Sequence, residues 1–219
     1  MPVSSRTRAG RALLATLGLA AAACRTPRAH PLQGTPAPAM RVPDGDLPPE
    51  RQHLVFKWAY SDNDVGMQGE GVARIAPPDS VRLDLFLSGG LGSGAAVMVG
   101  NELRLPGGGG MVRRLIPPAP LLWAALGRLA VPAVADTSVR VDGDTVRADI
   151  GRGAVWRATF AGERLLRLER LDDRHIEQWV DRSAGNRVRY QDERSGRTLQ
   201  LTVERRENVV SFDPQIWRF

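Results

Sequence analysis

Apolar residues recur at every second position through most of the chain from His53 onward, and that period of two commits the fold to β-structure. Leu54, Phe56, Trp58 and Tyr60 share one face of a strand, with Lys57 opposite. Val81, Leu83, Leu85 and Leu87 do the same opposite Arg82 and Asp84. Further runs are Val139/Val141, Val146/Ala148/Ile150, Trp156/Ala158/Phe160, Leu166/Leu168, Val188/Tyr190 and Leu199/Leu201/Val203, with another strand from Ile176 through Trp179 and Val180. Turn residues separate them, among them Asp142-Gly143-Asp144, Gly162 and Ser195-Gly196. The spacing predicts about eleven short strands, mostly hairpin-connected, in one large curved antiparallel sheet or barrel. No helix recurs between strands, which excludes the parallel α/β classes.

One helix interrupts the sheet. Pro118-Ala119-Pro120 precedes a stretch in which Leu121, Leu122, Ala125, Leu126 and Leu129 fall on one face. Only Trp123, Gly127 and Arg128 break its apolar character. A helix of about thirteen residues, about 20 Å long, is expected here, with Pro132 ending it. It is either a plug in one end of a barrel or a lid over an apolar cavity.

The N-terminus has the form of a secretion signal. Arg6, Arg8 and Arg11 make a positive segment without an acid, and residues 12–23 are apolar but for Thr16 and Gly18. That stretch is shorter than the about 20 apolar residues a membrane span needs, and small residues precede Cys24 as at a processing site. Ala21-Ala22-Ala23-Cys24, which carries the chain's sole cysteine, resembles a bacterial lipobox, although Leu is more usual three places before the cysteine. The resemblance implies that residues 1–23 are a lipoprotein signal peptide and that Cys24 becomes the lipidated first residue; the alternatives are an ordinary secretory signal that merely contains Cys24 and an uncleaved anchor. Arg25 stands where an Asp would favour retention at the inner membrane, so the resemblance points to the outer membrane, with the protein facing the periplasm. Residues 24–50 hold seven prolines and little apolar periodicity, the composition of an extended tether. Residues 51–219 are then the folded domain.

Charge narrows the partners. The formal charge is +6, and the three arginines of the signal account for half of it. Elsewhere arginine is interleaved with nearly equal acid and forms no dense basic stripe, so nucleic acid is not an expected partner. One cysteine and three scattered histidines, His30, His53 and His175, make neither an internal disulfide nor an ordinary structural zinc site. No cofactor or metal is expected.

A long antiparallel sheet with an apolar helix inserted mid-chain and a lipidated N-terminus resembles the LolA/LolB-type lipoprotein carriers. Locally the resemblance lies in Gly69-Glu70-Gly71 entering a strand, the hairpin from Ala73 through Pro77-Pro78-Asp79 to Leu85, and the Gly89-Gly90-Leu91-Gly92 end. It spans residues 53 to 212, and these motifs encode a hairpin, not chemistry. It implies an unclosed antiparallel β-barrel with a lid or plug helix, and acyl chains or lipidated proteins as ligands on its concave face. On that reading Phe56, Trp58, Leu83, Leu85, Leu122, Leu126, Trp156 and Trp179 line the acyl cavity of a monomeric lipid-binding or carrier lipoprotein. The alternative is a structural or scaffolding envelope lipoprotein with a filled barrel and a protein partner.

No catalytic residues are expected. The run Gly107-Gly108-Gly109-Gly110 is followed by Met111-Val112-Arg113-Arg114, not the Lys-Ser or Lys-Thr of a phosphate loop. It reads as a loop tip, with Met111-Val112 beside it as a point of lipid contact. Asp142 and Asp144 flank a turn glycine, and Asp172-Asp173 beside Arg174-His175 reads as hairpin polarity. Ser183, Ser195 and Ser211 lack the G-x-S-x-G setting of a hydrolase elbow.

Overall fold

The protein is described by a computed structural model covering residues 26–63, 65–90, 92–105, 110–131, 134–153 and 155–218. The signal segment, Cys24, residues 107–109 and Pro132 lie outside the described residues. Strands β1 (Thr35–Pro36), β2 (Arg51–Ser61), β3 (Gly66–Ala76), β4 (Ser80–Leu87), β5 (Ser93–Val99) and β6 (Glu102–Arg104) precede two helices, α1 (Gly110–Leu115) and α2 (Ala119–Leu126). Strands β7 (Thr137–Asp142), β8 (Thr145–Ile150), β9 (Trp156–Ala161), β10 (Arg164–Asp172), β11 (His175–Asp181), β12 (Arg187–Asp192) and β13 (Arg197–Val209) follow.

All thirteen strands form one sheet in the order β1-β7-β8-β9-β10-β11-β12-β13-β2-β3-β4-β5-β6. Each ladder is antiparallel. Among the described residues no ladder joins β6 to β1, so the barrel is unclosed. The long β13–β2 ladder, running from Thr198↔Ser61 to Val209↔Arg51, stitches the two halves of the chain together mid-sheet. Alternation works as the sequence implies: Leu54, Phe56, Trp58 and Tyr60 are buried, as are Val81, Leu83 and Leu85. β5 was not among the strands read from alternation, and neither were the edges β1 and β6, of two and three residues. Both edges are too short to show a period.

The helical region departs from expectation. α2 has eight residues, not thirteen. It stops at Gly127, whose left-handed backbone (φ 105°) caps the helix by donating its N–H to the Ala124 carbonyl, as helix-ending glycines commonly do. α1 begins at Gly110, the last residue of the expected loop tip, and Val112, expected at a lipid surface, is buried. Its side chain occupies the space that a Cβ on Gly94 of β5 would need.

Residues 26–47 are extended, as their prolines require, yet they are docked on the domain instead of forming a free spacer. The Ile176 N–H donates to the Pro27 carbonyl and the Ala29 N–H to the Arg174 carbonyl. β1 pairs with the edge of β7, and Arg140 donates to the Gly34 carbonyl (2.9 Å). Further on, Gly45 forms a bridge with Arg128, so close to Gly127 that a Cβ at residue 45 would strike its carbonyl. Prolines deny this strap a continuous ladder, and it is held instead by single hydrogen bonds at intervals.

Candidate functional site

Two glycines shape the interior. Phe56 lies across from Gly71 and Trp58 across from Gly69 on the inner face of the β2–β3 ladder. A Cβ on Gly69 would stand 2.7 Å from Trp58 Cζ2, and one on Gly71 would run into the Phe56 ring. Both rings therefore lie over bare backbone instead of standing into the barrel, a pairing of aromatics with cross-strand glycine. Trp58 Nε1 donates to the Glu70 carbonyl (2.9 Å), which fixes the indole in that posture.

The barrel consequently keeps an unfilled cavity of about 350 Å³. One wall is Leu54, Phe56, Trp58, Ala73, Leu83 and Leu85 of β2, β3 and β4. The facing wall is Val188, Tyr190, Leu199, Leu201 and Val203 of β12 and β13. Leu122, Ala125 and Leu126 of α2, with Leu115, Ile116 and Pro117 before it, close the third side. The Tyr190 hydroxyl accepts from Arg197 Nη2 (2.9 Å). Burial pushes that phenol above its ordinary pKa, against the opposing pull of Arg197.

Six of the eight expected cavity residues line this space: Phe56, Trp58, Leu83, Leu85, Leu122 and Leu126. The two remaining tryptophans do not. Trp156 keeps the inner parity of Ala158 and Phe160 but sits at the start of β9, packed against the core away from the cavity. Trp179 is on the outer face, because its neighbour Val180 is the buried residue, paired with Tyr190 and Leu168. There Arg167 lies 4.2 Å and Arg189 5.4 Å from the indole centroid, and Nε1 donates to Glu193 (2.7 Å). Cation–π contact and a carboxylate satisfy an indole that the inner face would have left without a polar partner.

α2 forms one wall of the cavity and is bonded to the barrel at Trp123 and just past its C-terminus. Trp123 is fully buried, and its Nε1 donates to the Gly100 carbonyl at the β5–β6 turn (2.7 Å). The opposite side of the helix packs on β10, β11 and β12. Past its C-terminus, Asp46 of the strap donates its N–H to the Gly127 carbonyl (2.8 Å) and accepts from both Arg182 guanidinium nitrogens (2.6 and 3.1 Å).

The mouth of the cavity is polar and was not foreseen from the sequence. Gly185, Asn186 and Arg206 line it together with Arg182. Asn186 is tied to β13 by two bonds, its Nδ2 donating to the Val203 carbonyl (3.0 Å) and its carbonyl accepting from the Val203 N–H (2.9 Å). The β13–β2 register slips between Val203 and Arg205, leaving Glu204 as the extra residue. Before that bulge the odd positions 199, 201 and 203 face inward; after it Arg206 stands opposite the inward Leu54. Bulges re-aim side chains in this way, and here the result is a guanidinium at the rim of an apolar cavity. Among the described residues no group of three or more His, Cys, Asp or Glu is placed to hold a metal, and no helix is long and apolar enough to cross a membrane.

No family model and no curated protein matches the chain. Solved structures of similar shape include a LolA superfamily protein from Nitrosomonas europaea, 10% identical, with a TM-score of 0.48 over 78% of this chain and 91% of that one. A domain named for outer membrane lipoprotein sorting, from Vibrio parahaemolyticus, is 5% identical with a TM-score of 0.46 over 78% and 91%. A DUF1329 family protein from Desulfovibrio piger is 7% identical with a TM-score of 0.38 over 77% and 90%.

Proposed function

We propose that the protein is a non-enzymatic lipid-binding lipoprotein of the bacterial envelope that takes the apolar chain of a lipid or acylated ligand into the cavity beneath α2, for transfer to the outer membrane. The observation that supports this most is the cavity itself, apolar on three sides and about 350 Å³ in volume, within the about 300–1,000 Å³ usual for ligand pockets. Binding needs no chemistry beyond desolvation, since each buried methylene contributes about 0.8 kcal/mol. A chain of ten or so methylenes is therefore held well without any polar contact. Saturable binding of a fluorescent fatty acid, displaced by unlabelled palmitate, is the expected result. Absence of displaceable binding would return the chain to a scaffolding role in the envelope.

In this proposal the protein is anchored through a lipid on Cys24. The docked strap then matters, because Pro27 already bonds to the β10–β11 end of the barrel. Three residue steps span at most about 10 Å, so the anchor holds that end of the barrel close to the bilayer instead of at the distance a free tether would allow. Cys24→Ala is expected to move the protein out of the membrane fraction, or leave it there with its signal uncleaved and its mobility altered. Unchanged partition and mobility on a gel would contradict the anchor.

A further inference from the structure

We propose that the ligand is a single-chain amphiphile with an anionic head group, and that Arg206 binds that head group at the cavity mouth. This inference rests on the lipid-binding reading and specifies its substrate class. Arg206 is turned inward by the β13 bulge, although the residue as a whole remains open to solvent. Among the described residues its side chain bonds to a neutral group, with Nη1 donating to Gln52 Oε1 at 3.3 Å. Gln52 is almost wholly buried and donates in turn to Asn208 Oδ1 (3.5 Å), so it acts as a fixed prop beneath the guanidinium. Among the described residues no carboxylate pairs with Arg206. The nearby acid, Asp46, is engaged by Arg182 through both its oxygens.

The second cation lining the cavity, Arg182, has its own charge already matched by Asp46. Burial, and then the repulsion of Arg182, lower the Arg206 pKa from its ordinary value against the smaller pull of Asp46, and among the described residues no carboxylate stands against the guanidinium as its counter-ion. An anionic head group supplies that counter-ion, and a guanidinium binds carboxylate or phosphate through paired hydrogen bonds. The volume limits the tail. A cavity of about 150 Å³ takes one benzene, so 350 Å³ holds on the order of a dozen carbons, one chain and not two.

The test compares palmitate, methyl palmitate and lysophosphatidylglycerol as displacers of the fluorescent probe from wild-type protein, Arg206→Gln, Arg206→Lys and Arg205→Gln. Arg205 lies on the outer face beside Glu207 and serves as the control. Wild type is expected to bind at least one charged ligand about tenfold more tightly than the neutral ester. Arg206→Gln removes that preference by bringing the charged ligands down to the affinity of the ester; Arg206→Lys retains part of it and Arg205→Gln all of it. Dependence confined to palmitate identifies a carboxylate, and dependence confined to the lysolipid a phosphate. If the ester binds as well as both charged ligands, or if Arg206→Gln weakens all three alike, the head-group assignment is overturned while lipid binding stands. If none of the three displaces the probe, both readings fall.

Discussion

Trp123→Ala is expected to destabilise the whole domain by about 3–5 kcal/mol, as deletion of a large buried aromatic does. For a domain of this size that lowers the melting temperature by on the order of 10 °C. The indole is fully buried, and its N–H is the bond that ties α2 to the Gly100 carbonyl across the barrel end. Arg128, whose guanidinium lies 5.0 Å from the indole centroid, loses its stacking surface in the same change. Trp123→Phe keeps most of the buried area but leaves the carbonyl unpaired, at a cost of about 1–3 kcal/mol. A helix acting as a detachable lid would behave otherwise, since its loss would leave the sheet's own ladders intact. Chemical denaturation of both variants, followed by circular dichroism, distinguishes the two. A loss below about 1 kcal/mol for Trp123→Ala, at the surface-substitution level, would contradict the account of α2 as a bonded wall.

Ala73→Phe is expected to abolish binding of a fluorescent fatty acid, or weaken it by more than about tenfold, while the protein stays folded. Ala73 lines the cavity from β3, between Leu54 on one neighbouring strand and Leu83 on the other. A ring placed there grows into the void, so the usual cost of overpacking, about 1–3 kcal/mol, is reduced and the chain's site is what disappears. Several buried methylenes at about 0.8 kcal/mol each are lost with it. Ala148→Phe is the contrasting control: that alanine is fully buried on β8, outside the cavity, and a ring there costs stability without a direct effect on the site. Titration of the probe with each variant, beside its melting curve, separates the outcomes. Undiminished binding by a folded Ala73→Phe would place the chain elsewhere.

What the sequence makes legible is the parity of long regular strands. Leu54 to Tyr60 and Val81 to Leu85 alternate without interruption, and the wall they form together was readable from spacing alone. Parity fails wherever a bulge intervenes. The slip at Glu204 turns Arg206 inward, and nothing in Thr-Val-Glu-Arg-Arg-Glu announces it. Trp179 lies on the outer face, contrary to expectation, for a related reason. The segment Ile176 to Val180 carries bulky residues on both parities, and the register break between Arg170 and Leu171 on the partner strand removes any simple phase. Arg167 and Arg189 then make the outer face a good place for an indole. The docking of residues 26–47 was hidden because proline-rich composition reports extension but not contact; single bonds to Arg174, Gly127 and Arg182 decide the matter, and none has a local signature. Gly69 and Gly71, by contrast, were visible as a motif, and only their cross-strand partners show that they make room for flat-lying rings.

The central claim, that the cavity holds an acyl chain, is tested most directly by native mass spectrometry of the protein purified without detergent from its membrane or periplasmic fraction. The account predicts a bound species that dissociates on activation to leave a single-chain amphiphile, present in wild type and absent from Ala73→Phe. A bare protein mass for wild type, unchanged after incubation with palmitate or lysophosphatidylglycerol, would contradict it.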